Sequence, residues 1–327
     1  MVRMPASVAG AGGRARGATG PYAVLRELDD EASGIPVPER RFIGRSADGD
    51  RTVLIGVPLP GVDPGRFLAE AETSRYLLGP WSAPAAEVAA PGDAPWHARP
   101  YVPVLPLPAA LTVHGGPLPE RTVRALGAAL VETLVIGHGQ GLAHAGVSPA
   151  AVLLAADGPR LTCFGAVRAA AEDGTARSGL PGLESGSLPP EQAAGGRPQP
   201  AGDVHALGAV LAYAATGHTV PEREELPAAL RAVVTACLSR DPAARPRPAE
   251  LLDALCPAAG PPPPDTGAGA AGPPRPVTLP DAAGTPAGRA AALLGSGWLP
   301  GRIIAALARQ SAELLAAGLP ASPAPQD

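Results

Sequence analysis

The chain of 327 residues contains no lysine and no asparagine, and all 26 of its basic residues are arginine. Its abundance of Ala, Gly, Pro and Arg suits a GC-rich coding sequence, which disfavours lysine and asparagine codons, so drift alone could account for the absence. The chemical consequence is the same either way: no lysine Schiff base, no lysine clamp on a phosphate and no asparagine ligand to a metal. Cysteine is scarce as well. Cys163, Cys237 and Cys256 are an odd number at spacings that match neither a zinc site nor a disulfide framework, and a reducing cytoplasm is the expected home. No run of about 18 apolar residues occurs, and the apolar stretch near the N-terminus is too short for a secretory core, so membrane insertion is not expected. A net charge of -4 with a pI near 5.9 supplies no basic field, which argues against nucleic acid as a partner.

What is present suits one two-lobed domain of about 250 residues or two smaller ones. Residues 1–19 are Gly, Ala and Arg without apolar periodicity and are expected to be disordered. Residues 20–102 read mostly as strand: Arg40 to Arg45, a turn at Ala47-Asp48-Gly49, then the Val/Ile-rich stretch Thr52 to Leu59. Asp63-Pro64 offers an N-cap and an N1 proline for one helix, with Phe67, Leu68, Ala71, Leu77 and Leu78 on its apolar face. Residues 103–256 turn helical. Pro119 opens a helix with Val123, Leu126, Leu130 and Leu134 at helical spacing. Val152 to Leu154 and Arg160 to Thr162 flank a short hairpin, and a Gly/Ser/Pro-rich loop occupies roughly 166–200. Asp203 is expected to N-cap a nearly all-apolar, hence buried, helix from Val204 to Thr216, closed by Gly217. Helices near 227–239 and 248–255 follow. Residues 257–290 read as a Pro/Gly/Ala linker, and 291–327 as a tail with an amphipathic helix at about 302–317.

Several segments carry a family resemblance. Asp203-Val-His-Ala-Leu followed by Gly208-Ala-Val-Leu-Ala-Tyr-Ala-Ala-Thr-Gly217 looks like the buried central helix of a protein kinase large lobe. Pro189-Pro190-Glu191-Gln192 resembles the Ala-Pro-Glu element that closes the activation segment, and Cys237-Leu-Ser-Arg-Asp-Pro-Ala-Ala-Arg-Pro246 resembles the late arginine motif that pairs with that glutamate. In order, from about 22 to 256, they resemble actinobacterial members of the serine/threonine protein kinase family. The resemblance implies an α+β, two-lobed kinase-like fold with a small, mainly β lobe holding one helix and a larger, mainly α lobe. It also implies architectural roles for Glu191, Asp203 and Arg245, with Glu191 and Arg245 paired.

Against the same family pattern the residues of phosphoryl transfer are missing. Gly56, in Val53-Leu-Ile-Gly-Val57, stands where the phosphate-pairing lysine belongs. Its usual partner survives as Glu70, read as a solvated carboxylate or an arginine partner. In His144-Ala-Gly-Val-Ser-Pro-Ala-Ala151, Gly146 replaces the proton acceptor, Ser148 the lysine and Ala151 the metal-ligating asparagine. Cys163 replaces the metal-binding aspartate ahead of Phe164-Gly165, and reads as a buried free thiol rather than a soft-metal or redox site. His144 and Phe164 are retained as parts of a packed spine. The glycine loop is replaced by Leu28-Asp-Asp-Glu-Ala-Ser-Gly-Ile-Pro-Val-Pro-Glu39, whose four acids would repel a triphosphate. Arg99 falls at the gate to the adenine pocket, and Leu54 where a small alanine normally touches adenine.

These losses imply a pseudokinase: no catalytic residues, no cofactor and no metal, acting as a scaffold or allosteric regulator on a protein partner whose identity the sequence does not reveal. The alternative is a residual ATP-binding serine/threonine kinase in which an arginine replaces the lysine and Asp157, Glu172 or Asp173 serve metal; a decaying paralogue is a third reading. The tail helix is expected to dock through Ile303, Ile304, Leu307, Leu314 and Leu315 on its own lobe or on a partner, the alternative being a disordered tail. The linker could span on the order of 30 Å as a flexible coil, so both docking sites are within reach.

Overall fold

Alternation in the first third of the chain builds an antiparallel sheet. In the computed structural model, which describes residues 18–29, 35–166, 186–256 and 288–317, this sheet has six strands. They are β1 (Ala18–Thr19), β2 (Tyr22–Glu27), β3 (Glu39–Ser46), β4 (Thr52–Pro58), β5 (Glu87–Val88) and β6 (His97–Pro100), in the order β1-β2-β3-β4-β6-β5. Ala18 and Thr19 were expected in the disordered segment, yet they pair with Ala23 and Tyr22; the rest of that segment lies outside the described residues. Successive side chains of a strand face opposite sides, and in β3 this turns Glu39, Arg41 and Ile43 inward while Arg40 faces solvent. The register places Arg41 opposite Gly56, and Gly56 opposite His97, so these three share one line across the sheet. One turn of that line further, Ile43, Leu54 and Arg99 form a second row.

Helix α1 (Pro64–Ser74) starts where expected: the Asp63 side chain accepts from the Arg66 N–H, and Pro64 sits at the first helical position, where its missing donor costs nothing. The helix ends at Ser74, so Leu77 and Leu78 lie beyond it; Leu77 is buried and Leu78 exposed.

The helical lobe begins with β7 (Val104–Pro106) and α2 (Leu107–His114), followed by the long α3 (Glu120–Gly139). A second, three-stranded sheet joins β7 to the hairpin β8 (Val152–Ala155) and β9 (Gly158–Leu161). Then come α4 (Pro190–Ala193), α5 (Pro200–Thr216), α6 (Ala228–Cys237) and α7 (Pro248–Leu255). Helix α5 is buried from Gly202 to Ala215, as an all-apolar helix must be. Its start departs from expectation. Asp203 is not the N-cap; the helix begins at Pro200 with Gln199 as N-cap, which frees the Asp203 carboxylate for other partners. The loop at 167–185 and the linker at 257–287 lie outside the described residues.

Two helices close the chain. Helix α8 (Arg289–Leu293) begins within the stretch expected to be linker, because the Glu132 carboxylate on α3 accepts from the N–H groups of Gly288 and Ala290 at 3.0 and 2.9 Å. Helix α9 (Gly301–Ala316) packs on the body of the protein. Ile303, Leu307 and Leu314 are buried, as expected, but Ile304 is 39 % and Leu315 83 % exposed. The two-lobed α+β architecture agrees with the sequence. Among the described residues no helix is long and apolar enough to cross a membrane.

Candidate functional site: the cleft between the lobes

The inward face of β3, β4 and β6 looks across a cleft at β8 and at the loop of residues 144–151. Arg41, 1 % exposed, reaches into this cleft. Its Nε donates to an Asp29 carboxylate oxygen at 2.9 Å, its Nη2 to the other oxygen, and its Nη1 to the Ala150 carbonyl at 2.8 Å. Burial works against the guanidinium charge, but Asp29 and then the surrounding groups outweigh it and raise the Arg41 pKa further. Arg41 therefore ties strand β3 of the small lobe to the loop of the large one.

Behind it lies a second group of charges. Glu39 Oε2 meets His97 Nε2 at 2.7 Å, and Arg99 Nη2 lies 3.8 Å from Glu39 Oε1 and 3.4 Å from His97 Nδ1. Arg99 Nη1 donates to the Ala83 carbonyl at 2.7 Å, while its buried Nε has no partner among the described residues. Phe67 of α1 stacks on the His97 ring at 5.3 Å. Burial alone would raise the Glu39 pKa, but His97, Arg99 and Arg41 outweigh it and hold the carboxyl at about 2.

Gly56 makes this arrangement possible. A Cβ there would come within 2.5 Å of the His97 ring and 2.8 Å of Glu39 Oε2, so the space of the missing side chain is taken by the Glu39–His97 pair. Glu70, expected to be a solvated carboxylate or an arginine partner, is only 6 % exposed, which removes the first of these two readings. The inner face of α1 turns it into a pocket of about 30 Å³, room for a water molecule, lined also by Glu39, His97, Arg99, Cys163 and Phe164.

The large-lobe wall is built from two strips of backbone pressed together. The Gly165 N–H donates to the His144 carbonyl at 2.9 Å, and a Cβ on Gly146 would fall inside the van der Waals shell of the Cys163 carbonyl oxygen. Ala145 and Cys163 take left-handed φ values of 52° and 59°, uncommon for residues with a Cβ. The strips are held from below by Asp203, 1 % exposed, whose carboxylate accepts from the His144 and Ala145 N–H groups, both at 2.7 Å, and meets His138 Nε2 at 2.8 Å. The His144 ring stands edge-on to Phe164 at 5.6 Å. Ser148 accepts from the Ala151 N–H and so caps a short turn, and Ala151 is buried. The Cys163 thiol is buried; burial first, then Glu39, pushes its pKa to about 11, which keeps it protonated and unreactive.

The front of the cleft is apolar. Leu28, Ile43 and Leu54 of the small lobe, Val104, Leu153 and Ala155 of the large, and Leu314 of α9 form one cluster, every member 9 % exposed or less.

The structure thus gathers Gly56, Glu70, Gly146, Ser148, Ala151, His144, Cys163, Phe164 and Gly165 around one cleft. Glu191 and Arg245 meet elsewhere in the large lobe as a bidentate pair, at 2.6 and 2.8 Å, with Arg245 also donating to the Ser239 and Ala201 carbonyls. Asp157, a candidate metal ligand, sits beside the hairpin turn and pairs with Arg160 at 2.7 Å; Glu172 and Asp173 lie outside the described residues. Among the described residues, no group of three or more His, Cys, Asp or Glu side chains is placed to hold a metal ion. Arg41, His97 and the ionic role of Glu39 do not stand out in the sequence, although alternation with Ile43 turns Glu39 and Arg41 inward.

No family model matches the chain. It is 36 % identical over 261 residues to the probable serine/threonine-protein kinase PkwA of Thermomonospora curvata, which covers 73 % of this chain and 34 % of that protein. It is 31 % identical over 260 residues to the serine/threonine-protein kinase AfsK of Streptomyces coelicolor, covering 73 % and 32 %. The chain thus spans about a third of the length of these relatives. Among solved structures it superimposes on the PknI kinase domain of Mycobacterium tuberculosis with a TM-score of 0.57 at 23 % identity, over 74 % of this chain and 98 % of that one. Its relatives are bacterial serine/threonine protein kinases, and its fold is that of a protein kinase domain.

Proposed function

We propose that this kinase-fold chain does not transfer phosphate and works through protein contacts, as a cytoplasmic scaffold or allosteric regulator. Its lobes, on this reading, are residues 20–102 and 103–256, with residues 291–327 as an appended tail. The observation that carries the proposal is that the charged groups of the cleft are committed to one another: Arg41 to Asp29 and Ala150, Glu39 to His97 and Arg99. A nucleotide with magnesium does not fit these residues. Its base would have to part the buried apolar cluster, and its phosphates would have to displace Asp29 from Arg41. The proton acceptor is also absent, and Gly146 cannot simply be exchanged for one, because its Cβ would strike the Cys163 carbonyl. Loss of a general base alone costs roughly 10²–10⁴ in rate.

One observation favours residual nucleotide binding instead. Arg41 stands directly across the strand pair from Gly56, so a guanidinium is present beside the place where the family's ammonium is missing. Arginine is a fixed fork rather than a compact point charge, and this fork already holds a carboxylate.

A melting series in Mg-ATP separates the two. Nucleotide at 100 times its dissociation constant would add about 2.7 kcal/mol. No shift in melting temperature up to millimolar Mg-ATP, and no radiolabel transferred to the chain or a generic acceptor, are the expected outcomes. A clear upward shift would sink the proposal.

A further inference from the structure

Two lobes joined by a short connection move against each other unless something spans them. Helix α9 touches both. On the large lobe, Ile303 and Leu307 join the core beside α2, and Arg302 donates to the His114 carbonyl at 3.1 Å. At the connection between β6 and β7, the buried Gln310 Oε1 accepts from the Tyr101 hydroxyl at 2.6 Å and from the Val104 N–H at 3.2 Å. On the small lobe, Glu313 meets Arg26 at 2.8 Å, and Arg45 donates to the last carbonyls of the helix, Leu314 at 2.5 Å and Ala317 at 2.8 Å. Cations at a helix C-terminus are favourable both as donors and against the dipole. Leu314 itself enters the apolar cluster that Leu28, Ile43 and Leu54 share with Val104, Leu153 and Ala155.

Residues 303, 307, 310 and 314 fall on one helical face. Its polar member, Gln310, meets a buried main-chain donor as well as the Tyr101 hydroxyl, a stronger mark of a built site than apolar contact alone. The stretch before the helix is bonded with similar care: Thr122 Oγ1 donates to the Trp298 carbonyl at 2.6 Å and Trp298 Nε1 to the Ala156 carbonyl at 2.8 Å.

We propose that the groove bounded by α2, residues 101–104 and the ends of β2 and β3 is a helix-binding site, filled in cis by the chain's own α9. Through Gln310 and Leu314, this occupancy holds the two lobes in one orientation without any ligand in the cleft. The inference does not depend on whether phosphate is transferred: nucleotide stabilisation of the wild-type chain would overturn the proposed function and leave this site untouched.

The test uses the full chain carrying Gln310→Ala and Leu314→Asp, with a fluorescent synthetic peptide of residues 296–317 as probe. The peptide should bind this variant at least ten-fold more tightly than the wild-type chain, whose groove is filled. Hydrogen exchange at residues 101–106 and in β2 and β3 should rise in the variant and fall again when the peptide is added. A Leu314→Asp peptide should not bind, and Leu315→Asp in the full chain, at an exposed position, should behave as wild type. Should the double variant not fold, Arg45→Ala with Gln310→Ala gives the same comparison in milder form. Equal peptide binding by variant and wild type, or unchanged exchange in the variant, would overturn the proposal. A wild-type dimer in sedimentation that Leu314→Asp abolishes would overturn the cis assignment, since the groove would then hold the helix of a second copy.

Discussion

The large lobe and the cleft both bury arginine–carboxylate pairs, but the pairs are of different kinds. Glu191 and Arg245 join two segments of a single lobe, and the arginine is further bonded to two main-chain carbonyls. Burial disfavours the Glu191 charge, yet Arg245 outweighs it and holds the carboxyl below its ordinary value. In the cleft, Arg41 and Glu39 lie on the face that would meet a ligand, and both are satisfied from within. The first pair ties the segment at 191 to the one at 245 within the large lobe. The second set places ionic groups across the space between the two lobes of this chain. The space beside Gly56 is therefore not a vacancy, because Glu39, His97 and Arg99 fill it with charged and polar side chains.

The largest effect should come from the large-lobe pair. Glu191→Ala and Arg245→Ala should each cost on the order of 3–5 kcal/mol in a denaturant melt, since removing one partner strands the other. A cost below about 1 kcal/mol for both would erase the contrast with the cleft.

Glu39→Gln tests the cleft set through pH. The folded carboxyl titrates at about 2, below its ordinary 4.5, so its contribution is present above pH 4.5 and is lost as pH falls towards 2. That shift corresponds to on the order of 3 kcal/mol at neutral pH. The variant should be less stable at neutral pH, and its stability should fall less steeply than that of the wild type between pH 4.5 and 2. Parallel acid titrations of the two chains would refute the ionic role of Glu39.

Glu70→Ala is expected to have the smallest effect of the three, about 1–3 kcal/mol, the range for disturbing a buried, partnered polar group. A change within 0.5 kcal/mol, typical of surface positions, would mean that Glu70 is solvated after all.

Much of the frame was legible in the sequence because it rests on local signals. Asp63-Pro64 announces α1, the Val/Ile run announces β4, and apolar residues on every side announce the burial of α5. The errors arose where a tertiary partner decides. Asp203 looks like a cap until Pro200, three residues earlier, is recognised as the better N1 residue. Glu70 looks solvated because nothing local shows that its helix face turns towards His97 and Arg99. In the tail, Ile304 and Leu315 appear to extend an apolar stripe that Gln310 interrupts; in the structure Gln310 belongs to the buried face and those two do not. The cleft network was the least legible part, since Asp29, Glu39, Arg41 and His97 come together only once the strands of the small lobe pair, and Ala150 joins them only when the large lobe is in place.

The grip of Asp203 bears on which substitutions this chain can absorb. Its carboxylate takes hold of main-chain N–H groups, which every residue except proline offers at the same place. The Asp203 grip therefore asks nothing of the side chains at 144 and 145, whereas position 146 is confined to glycine, because any Cβ there would strike the Cys163 carbonyl. One carboxylate thus fixes the course of the loop through its main chain and leaves the choice of side chain at 146 to the neighbouring strip of backbone.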